Sequence, residues 1–266
     1  MNILIVNDDG INGDGLKALV SQLREKYSLT VIAPENERSG SSHSITIGKP
    51  LYLKRIEMPE FVNTEAYSAN GTPADCTKLG LSAFDKDFDL VISGINFGEN
   101  LGLDLLYSGT VNAAEEGVLN DVPAVAISQH LPEQDASAKE IDAVIEETAE
   151  LATYLIDKID WKPFAKRVCN INFPWRKPGN IRGIKVCRQG RRRYDLTFDK
   201  NLPPAERKYV WEVRHKIDLP YNKEYETDWY WATKGYITIT PMQWNKTDFD
   251  YLDELKCRID DLKLHI

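Results

Sequence analysis

Residues 1–10, MNILIVNDDG, contain the strand and turn around which the rest of the chain is organised. Residues 3–6 form an unbroken apolar run, which predicts a short strand buried on both faces of a sheet. Asp8 and Asp9 follow directly where this strand ends. Ligands of open α/β sheets bind outside the carboxyl ends of the strands, so two adjacent carboxylates there favour a divalent cation held by oxygen ligands. Asn, Asp and Gly are also common turn formers, and a plain turn is the alternative.

Length and charge limit the classes of protein to which the chain can belong. Its 266 residues are enough for one large domain, or for a domain with an extension. The formal net charge of −8 is opposite in sign to that of a general nucleic-acid binder, so no nucleic-acid partner is expected. No apolar run approaches the length of a membrane span, and the first residues enter a strand at once. We therefore expect no signal peptide and no membrane partner.

Cysteine and histidine usage gives no indication of a zinc site. The four cysteines lie far apart and form no C-x-x-C pair, which indicates reduced thiols in a cytoplasmic protein. The four histidines form no H-x-x-x-H pair, so a zinc site built on histidine or cysteine is not expected.

Strand and helix patterns alternate over residues 1–180. An amphipathic helix with Leu16, Leu19 and Leu23 on one face joins the first strand to a second strand at residues 29–33. Such a β-α-β unit implies parallel strands. The expected architecture is an α/β domain with a doubly wound, mostly parallel, Rossmann-like sheet. Further strands are predicted at residues 88–93, 122–128 and 168–173, and further helices from Thr72, Ser108 and Ala138.

The composition changes after residue 180. Residues 181–241 are rich in Arg, Tyr and Trp, and their patterns predict strands and hairpins. Six aromatic residues are too many for a hairpin that faces solvent, so they favour an interface, with packing inside the monomer as the alternative. These residues are Tyr221, Tyr225, Trp229, Tyr230, Trp231 and Tyr236. Residues 181–266 are therefore predicted to form a β-rich oligomerisation extension and a terminal helix.

Two further features belong to this extension. The basic run RQGRRR at residues 188–193 is either a solvated hairpin or a local patch that attracts anions. The terminal helix is predicted to be capped by Thr247. Its apolar residues have the spacing of a heptad seam, at Leu252, Leu255, Ile259 and Leu262.

Polar residues follow further element boundaries on the side of the sheet where Asp8 lies. Residues 35–44, ENERSGSSHS, follow the second strand, although a solvated surface loop is the ordinary interpretation. Asn96 comes just past the end of a predicted strand. Ser108-Gly109-Thr110 opens a helix whose first N–H groups and hydroxyls can bind phosphate, with a plain Ser cap as the alternative. The segment NGTPADC predicts a capped helix start, with Thr72, Pro73 and Asp75.

A competing motif lies between the first strand and its helix. Gly13-Asp14-Gly15, followed by Ala18, matches G-x-G-x-x-A, and Glu35 ends the next strand. This pattern resembles a dinucleotide-binding fingerprint, so a non-catalytic dinucleotide-binding module is the alternative function. The motif starts too far from the strand, and the acidic residues before it would repel a pyrophosphate.

Five segments in this order resemble the survival protein SurE family of metal-dependent nucleotidases: NDDG, ERSGSSHSIT, NGTPADC, SGIN and YSGTVNAAEEG. The resemblance continues to about residue 241, where TKGYITITPM is similar to a late strand of the family. It implies a SurE-type catalytic domain over residues 1–180 and oligomerisation through the extension, as a homodimer or homotetramer. It also implies hydrolysis of nucleoside 5′-monophosphates, and often 3′-monophosphates, with one Mg²⁺ or Mn²⁺ per subunit in the cytoplasm.

The resemblance also implies roles for individual residues. Asp8 would be a base or a nucleophile as well as a metal ligand. His43 departs from the family pattern, where a small polar residue such as Asn is expected, and Asn245 replaces an expected acid. The implied metal ligands are Asp8, Asp9, Ser39 and Asn96; the implied catalytic residues are Asp8, Asn96 and Ser108; the implied substrate contacts are Gly40, Ser41, His43, Gly109 and Thr110.

Overall fold

The computed structural model describes residues 1–131, 136–191, 194–198, 203, 205, 209–213 and 225–260. The strands are β1 (Asn2–Val6), β2 (Ser28–Pro34), β3 (Leu53–Arg55), β4 (Glu65–Ala69), β5 (Leu90–Phe97), β6 (Ala124–Gln129), β7 (Val168–Phe173), β8 (Ile184–Val186), β9 (Tyr194–Phe198), β10 (Tyr209–Val213) and β11 (Ile237–Met242). The α-helices are α1 (Asp14–Leu23), α2 (Pro73–Ala83), α3 (Gly109–Leu119), α4 (Ala138–Lys158), α5 (Asp228–Thr233) and α6 (Phe249–Asp260). Short 3₁₀ helices occupy Pro59–Phe61, Gly102–Leu106 and Lys162–Lys166.

One mixed sheet organises the molecule. Its strand order is β3-β4-β2-β1-β5-β6-β7-β11-β8. The six strands that lie between β3 and β11 in this order, β4-β2-β1-β5-β6-β7, are parallel to one another. Strand β3 runs antiparallel to β4, and β11 runs antiparallel to β7. This architecture confirms the predicted mostly parallel α/β class.

Strand β1 is buried on both faces, as its sequence predicts. Ile3 and Ile5 pack in the core beneath α1 and α4, and Leu4 and Val6 pack on the opposite face beneath α2 and α3. Alternate residues of a strand point to opposite faces, so an unbroken apolar run serves both cores. The strands β2 and β4 extend to one side of β1, and β5 to β7 extend to the other. The carboxyl end of β1 therefore lies at the switch point where such sheets bind ligands.

Two strands differ from the prediction. Strand β4 has no predicted counterpart and pairs between β2 and the short edge strand β3. Strand β5 continues to Phe97, past its predicted end at Ser93, with a shift in its pairing to β6 between Ser93 and Asn96. At this shift Gly94 has φ of +136°, and a Cβ there would lie 2.3 Å from the carbonyl oxygen of Ile127. A glycine is thus required for the strand to continue to Asn96.

The C-terminal region is less separate than its composition suggests. Strands β8 and β11 belong to the main sheet, so residue 180 is not a boundary of that sheet. Strands β9 and β10 form the predicted antiparallel hairpin. Residues 228–233 form helix α5 rather than a strand, because Thr227 accepts the N–H of Tyr230 and caps a helix there.

The terminal helix α6 forms as predicted but has a different cap. The Asp248 carboxylate accepts the N–H of Tyr251 at 3.0 Å, so Asp248 rather than Thr247 caps the helix. The side chain of Ile259 and all of residues 261–266, including Leu262, lie outside the described part of the chain. No helix in the described part is long and apolar enough to cross a membrane.

Candidate active site

Asp8 and Asp9, directly after β1, are hydrogen-bonded to two other segments at the edge of the sheet. Asp8 is 4% exposed, and its backbone carbonyl accepts the N–H of Arg38 at 2.7 Å. The Asp9 carboxylate accepts the N–H of Phe97 at 3.2 Å. The loop after β2 and the end of β5 therefore both lie within a hydrogen bond of the acidic pair. Ser39 and Asn96 are each one residue away in the chain from such a bond.

Burial makes ionisation of both carboxylates costly. It raises the pKa of Asp8, although the hydrogen bond from Thr110 opposes the rise. Burial, followed by the charge of Asp8, raises the pKa of Asp9 to about 7. The two adjacent carboxylates repel each other when both are ionised, and a bound cation would stabilise their ionised forms.

The donor set limits which metal this place suits. Within the described residues no group of three or more His, Cys, Asp and Glu side chains is placed to hold a metal ion. A cation at Asp8 and Asp9 would therefore depend on hydroxyl, amide or carbonyl oxygens for its other protein ligands. An all-oxygen set of this kind fits a hard cation and does not fit zinc.

The first turn of α3 lies against Asp8. The Thr110 hydroxyl donates to Asp8 Oδ1 at 2.5 Å. A Cβ at Gly109 would lie 2.8 Å from Asp8 Oδ2 and 2.7 Å from Ser41 Oγ. Ser108 is the predicted cap, and its Oγ accepts the N–H of Val111 at 3.0 Å. The carboxylate, the Ser41 hydroxyl and the positive end of a helix thus meet at one point.

The hydroxyls of Thr110, Ser108 and Ser41 differ in their hydrogen-bond partners. Because the Thr110 hydroxyl is bound to Asp8, Thr110 can offer phosphate its backbone N–H rather than its side chain. Ser108 Oγ accepts one bond and keeps its proton for another acceptor. Ser41 Oγ is buried and has no hydrogen-bond partner in the described part of the chain. Buried polar atoms are normally paired, so an unpaired hydroxyl beside a helix N-terminus suits a ligand oxygen.

The other predicted residues differ in exposure. Asn96 is 8% exposed, and its amide nitrogen donates to the carbonyl of Gly98 at 2.6 Å, which leaves the amide oxygen as an acceptor. Ser39 is exposed, and its hydroxyl donates to Glu37 at 2.7 Å. Gly40 is exposed, with φ of +70° and open space around it. Ser39 and Gly40 therefore lie on the outer part of the loop.

The loop at residues 35–50 is tied down at several points that the sequence does not reveal. The N–H of Ser42 donates to the carbonyl of Tyr107 at 3.0 Å. The Asp75 carboxylate accepts both the N–H and the hydroxyl of Thr46, the latter at 2.6 Å. Asp75 also completes the predicted capping box with Thr72. One buried carboxylate thus caps α2 and holds the loop beside the site.

His43 fastens the same loop to α3. Its Nε2 lies 2.9 Å from Glu116 and its Nδ1 lies 3.4 Å from Glu115. Hydrogen bonds to Glu115 and then Glu116 raise the pKa of His43 to about 9, so the ring is protonated near neutral pH. Lys78 also binds Glu116, at 2.7 Å. Both ring nitrogens of His43 are engaged, so the implied contact with substrate would require one of these ion pairs to open.

The glycines of the competing motif serve the packing of the fold. A Cβ at Gly15 would lie 2.2 Å from the carbonyl oxygen of Ile95, so Gly15 lets α1 approach β5. A Cβ at Gly13 would lie 2.9 Å from the side chain of Asn7. Packing against Asn7 and β5 is therefore enough to explain both glycines, without a bound pyrophosphate. The interpretation as a dinucleotide-binding module is not supported.

A largely buried acidic pair at a switch point, facing a helix N-terminus and spare hydroxyls, is the arrangement expected of an α/β protein that binds phosphate and a hard cation. Residues 3–196 match the family model described as Survival protein SurE, and the chain belongs to this family. This confirms the resemblance found in the sequence.

Similar proteins extend over almost the whole chain. A protein named 5′-nucleotidase SurE from Pelotomaculum thermopropionicum is 43% identical over 96% of this chain and 94% of its own length. One of the same name from Clostridium botulinum is 40% identical over 96% of this chain and 98% of its own length. The crystal structure of a SurE protein from Aquifex aeolicus superposes with a TM-score of 0.77 at 31% identity, covering 97% of this chain and 99% of that one.

Proposed function

We propose that this protein is a metal-dependent phosphatase that hydrolyses nucleoside 5′-monophosphates, and also 3′-monophosphates, to nucleoside and phosphate. The observation that carries the proposal is the contact of Asp8 with the first turn of α3, through Thr110 at 2.5 Å and beside Gly109. A reacting carboxylate and a phosphate-binding helix end are thereby adjacent. The name 5′-nucleotidase, carried by relatives along nearly the full chain, supports the nucleotide substrate.

The phosphate is bound by the start of α3. The N–H groups of Gly109 and Thr110 belong to the first turn, where no carbonyl of the helix is available to accept them. The hydroxyls of Ser108 and Ser41 add two donors beside them. Donors fixed in place before the reaction stabilise the charge that spreads over the equatorial oxygens in phosphoryl transfer.

One divalent cation per subunit would be held by the oxygens of Asp8, Asp9 and Asn96. Ser39 joins this set if its hydroxyl turns from Glu37, a movement that its exposed position permits. Carboxylate, amide and hydroxyl oxygens suit Mg²⁺ or Mn²⁺. When bound, such a cation supplies positive charge that polarises the phosphoryl group and makes water more acidic.

Asp8 performs the proton transfer or the attack itself. Thr110 holds Asp8 Oδ1, while Asp8 Oδ2 faces Gly109 at the helix end. Whether Asp8 takes a proton from water or attacks phosphorus as a nucleophile, the reaction uses the oxygen that Thr110 leaves free.

Metal removal tests the proposed activity. We expect release of inorganic phosphate from nucleoside monophosphates to stop in excess EDTA and to return when Mn²⁺ or Mg²⁺ is added back. Nicotinamide dinucleotides added to the same samples should not bind, whether or not metal is present. Phosphate release that is indifferent to EDTA, or tight dinucleotide binding without phosphate release, would contradict the proposal.

The protein is further proposed to assemble as a homodimer or homotetramer through residues 215–241. Tyr230, Trp231 and Tyr236 pack edge to face on one another within the chain, which uses part of this aromatic surface. Tyr225 remains 60% exposed. Tyr221 lies outside the described residues, as do Arg192 and Arg193 of the predicted basic patch.

We expect light scattering at micromolar concentration to give at least twice the monomer mass, and a monomer would refute the assembly.

The cytoplasm is the proposed compartment. All four cysteines are free thiols, three of them buried. Burial raises the pKa of Cys76 and of Cys169, the latter to about 12, so these thiols are unreactive. Free thiols of this kind are typical of a reducing compartment.

A further inference from the structure

The buried carboxylate of Asp228 binds three separate backbone N–H groups. Asp228 is fully buried, and it comes from the C-terminal region that the composition sets apart. Its Oδ2 accepts the N–H of Gly102 at 2.9 Å. Its Oδ1 accepts the N–H groups of Gly190 and Trp229, both at 2.7 Å. One side chain thus joins α5, the segment after β8 and the segment between β5 and α3.

The segment that Asp228 holds leads directly to the phosphate-binding helix. Gly102 begins the 3₁₀ helix Gly102–Leu106, and the N–H groups of Tyr107 and Ser108 both donate to the carbonyl of Asp104, at 2.9 and 3.1 Å. Asn112 of α3 donates to the carbonyls of Leu105 and Ser108. The 3₁₀ helix that Gly102 begins is thus hydrogen-bonded, through Asp104, to Ser108, the residue that caps α3.

Two other residues anchor the same segment near its start, Asn100 and Gln189. Asn100 donates its N–H to Asn172 at 2.8 Å, and its carbonyl accepts from the amides of Asn170 and Asn172 at 3.0 Å each. The carbonyl of Gly102 accepts from the side chain of Gln189 at 2.6 Å. Gly102 is thus held on both its N–H and its carbonyl by residues beyond position 180.

We propose that Asp228 is a positioning residue for phosphate binding: through Gly102 it sets where α3 begins and hence where its first N–H groups lie relative to Asp8. This rests on the proposed phosphatase site but assigns a new role to a residue outside it. A charged acceptor binds N–H groups more strongly than a neutral one, and a fully buried acceptor has no water to replace it. The C-terminal region therefore completes the site as well as extending the sheet.

Replacing Asp228 with Asn tests this role. The side chain keeps its shape, but its NH₂ group must face one of the three N–H donors, so at least one of them loses its acceptor. We expect Asp228→Asn to raise the Kd of inorganic phosphate, measured by calorimetry in the presence of Mg²⁺, about tenfold, as for one displaced hydrogen-bonding group. KM for nucleoside monophosphates should rise by a similar factor.

Two variants separate positioning from a purely structural role. Thr227→Ala removes the side-chain cap of the same helix, where Thr227 accepts the N–H of Tyr230 at 3.2 Å, and leaves Gly102 untouched. It should lower the melting temperature while the Kd of phosphate stays within about twofold of wild type. Gln189→Ala, at an exposed position, removes the other bond to Gly102 and should raise the Kd about threefold with the fold intact.

An unchanged Kd of phosphate in folded Asp228→Asn, or an equal rise in Thr227→Ala, would overturn the role of Asp228. If Asp228→Asn does not fold, the outcome for Gln189→Ala decides, and a wild-type Kd there overturns the proposal. Phosphate binding is measured without turnover. A wild-type protein that binds phosphate but releases none from nucleotides would therefore refute the phosphatase and leave the positioning role standing.

Discussion

Asp8→Asn will lower kcat for nucleoside monophosphates about a thousandfold, and excess Mn²⁺ will not restore it. The amide keeps the shape of the side chain and an oxygen for the Thr110 hydroxyl, which donates to Asp8 at 2.5 Å. It cannot take a proton or attack phosphorus. The loss therefore falls on the chemical step rather than on metal binding alone.

Asp9→Asn is the matched control for Asp8→Asn, because it removes the same charge from the neighbouring position. Asp9 accepts the N–H of Phe97, and its amide counterpart can keep that bond. If Asp9 is mainly a metal ligand, the variant binds metal more weakly, and excess Mn²⁺ recovers part of the rate. The two variants should therefore differ in their response to metal even though each has lost one negative charge.

Melting curves with and without Mn²⁺ complete this test. The metal should stabilise the wild type by roughly 3 kcal/mol at a hundredfold excess over Kd. Both variants should fold, and their metal-free forms should be at least as stable as the wild type, because burial and the charge of Asp8 raise the pKa of Asp9. If Asp8→Asn keeps near-wild-type turnover, or if metal does not stabilise the wild type, the interpretation of NDDG as a metal site is wrong. NDDG would then be only a turn.

The parts of this fold that could be predicted from sequence are those that neighbouring residues determine. The apolar run in β1 and the capping box of α2, built from Thr72 and Asp75, both form as predicted. Ser108 likewise caps α3. Each of these features depends on residues within one or two turns of chain, and such local preferences survive folding when the core agrees with them.

What could not be predicted depends on distant partners. Strand β11 pairs with β7 about 70 residues earlier in the chain, and no local pattern indicates that it adds to the main sheet. Asp228 lies in a region predicted to form strands and hairpins, and its role follows only from the position of Gly102 beside it. His43 likewise lies in a polar loop, and its ion pairs with α3 follow from tertiary packing.

The glycine motif after β1 shows why spacing alone is ambiguous. Its pattern matches a dinucleotide fingerprint, yet Gly15 is required because α1 packs directly on the carbonyl of Ile95. Both uses need a residue without a side chain at the start of a helix. Only the position of the neighbouring backbone distinguishes them. The need for glycine at a helix start is therefore judged from the atoms that a Cβ there would contact. The same reasoning applies to Gly109 at the start of α3.

Gly109→Ala places a Cβ in the first turn of α3, beside Asp8 and Ser41. Alanine is a better helix former than glycine, by up to about 1 kcal/mol, so intrinsic preference favours the change. The new Cβ would nevertheless lie 2.7 Å from Ser41 Oγ and 2.8 Å from Asp8 Oδ2, which is closer than such atoms can approach. Both side chains must move away from the helix end, and misplacement of a reacting group by about 1 Å can cost a hundredfold in rate.

We therefore expect kcat/KM of folded Gly109→Ala to fall at least about a hundredfold, with some loss of melting temperature because Asp8 is buried. Gly117→Ala is the control on the same helix. Its Cβ would lie 2.9 Å from Val91 in the core, away from the phosphate-binding turn. It should also lower the melting temperature, but the folded fraction should keep wild-type kcat/KM, so kcat/KM distinguishes the two variants. If Gly109→Ala turns over nucleotides like the wild type, the first turn of α3 does not hold the phosphate, and the site must lie elsewhere on the sheet edge.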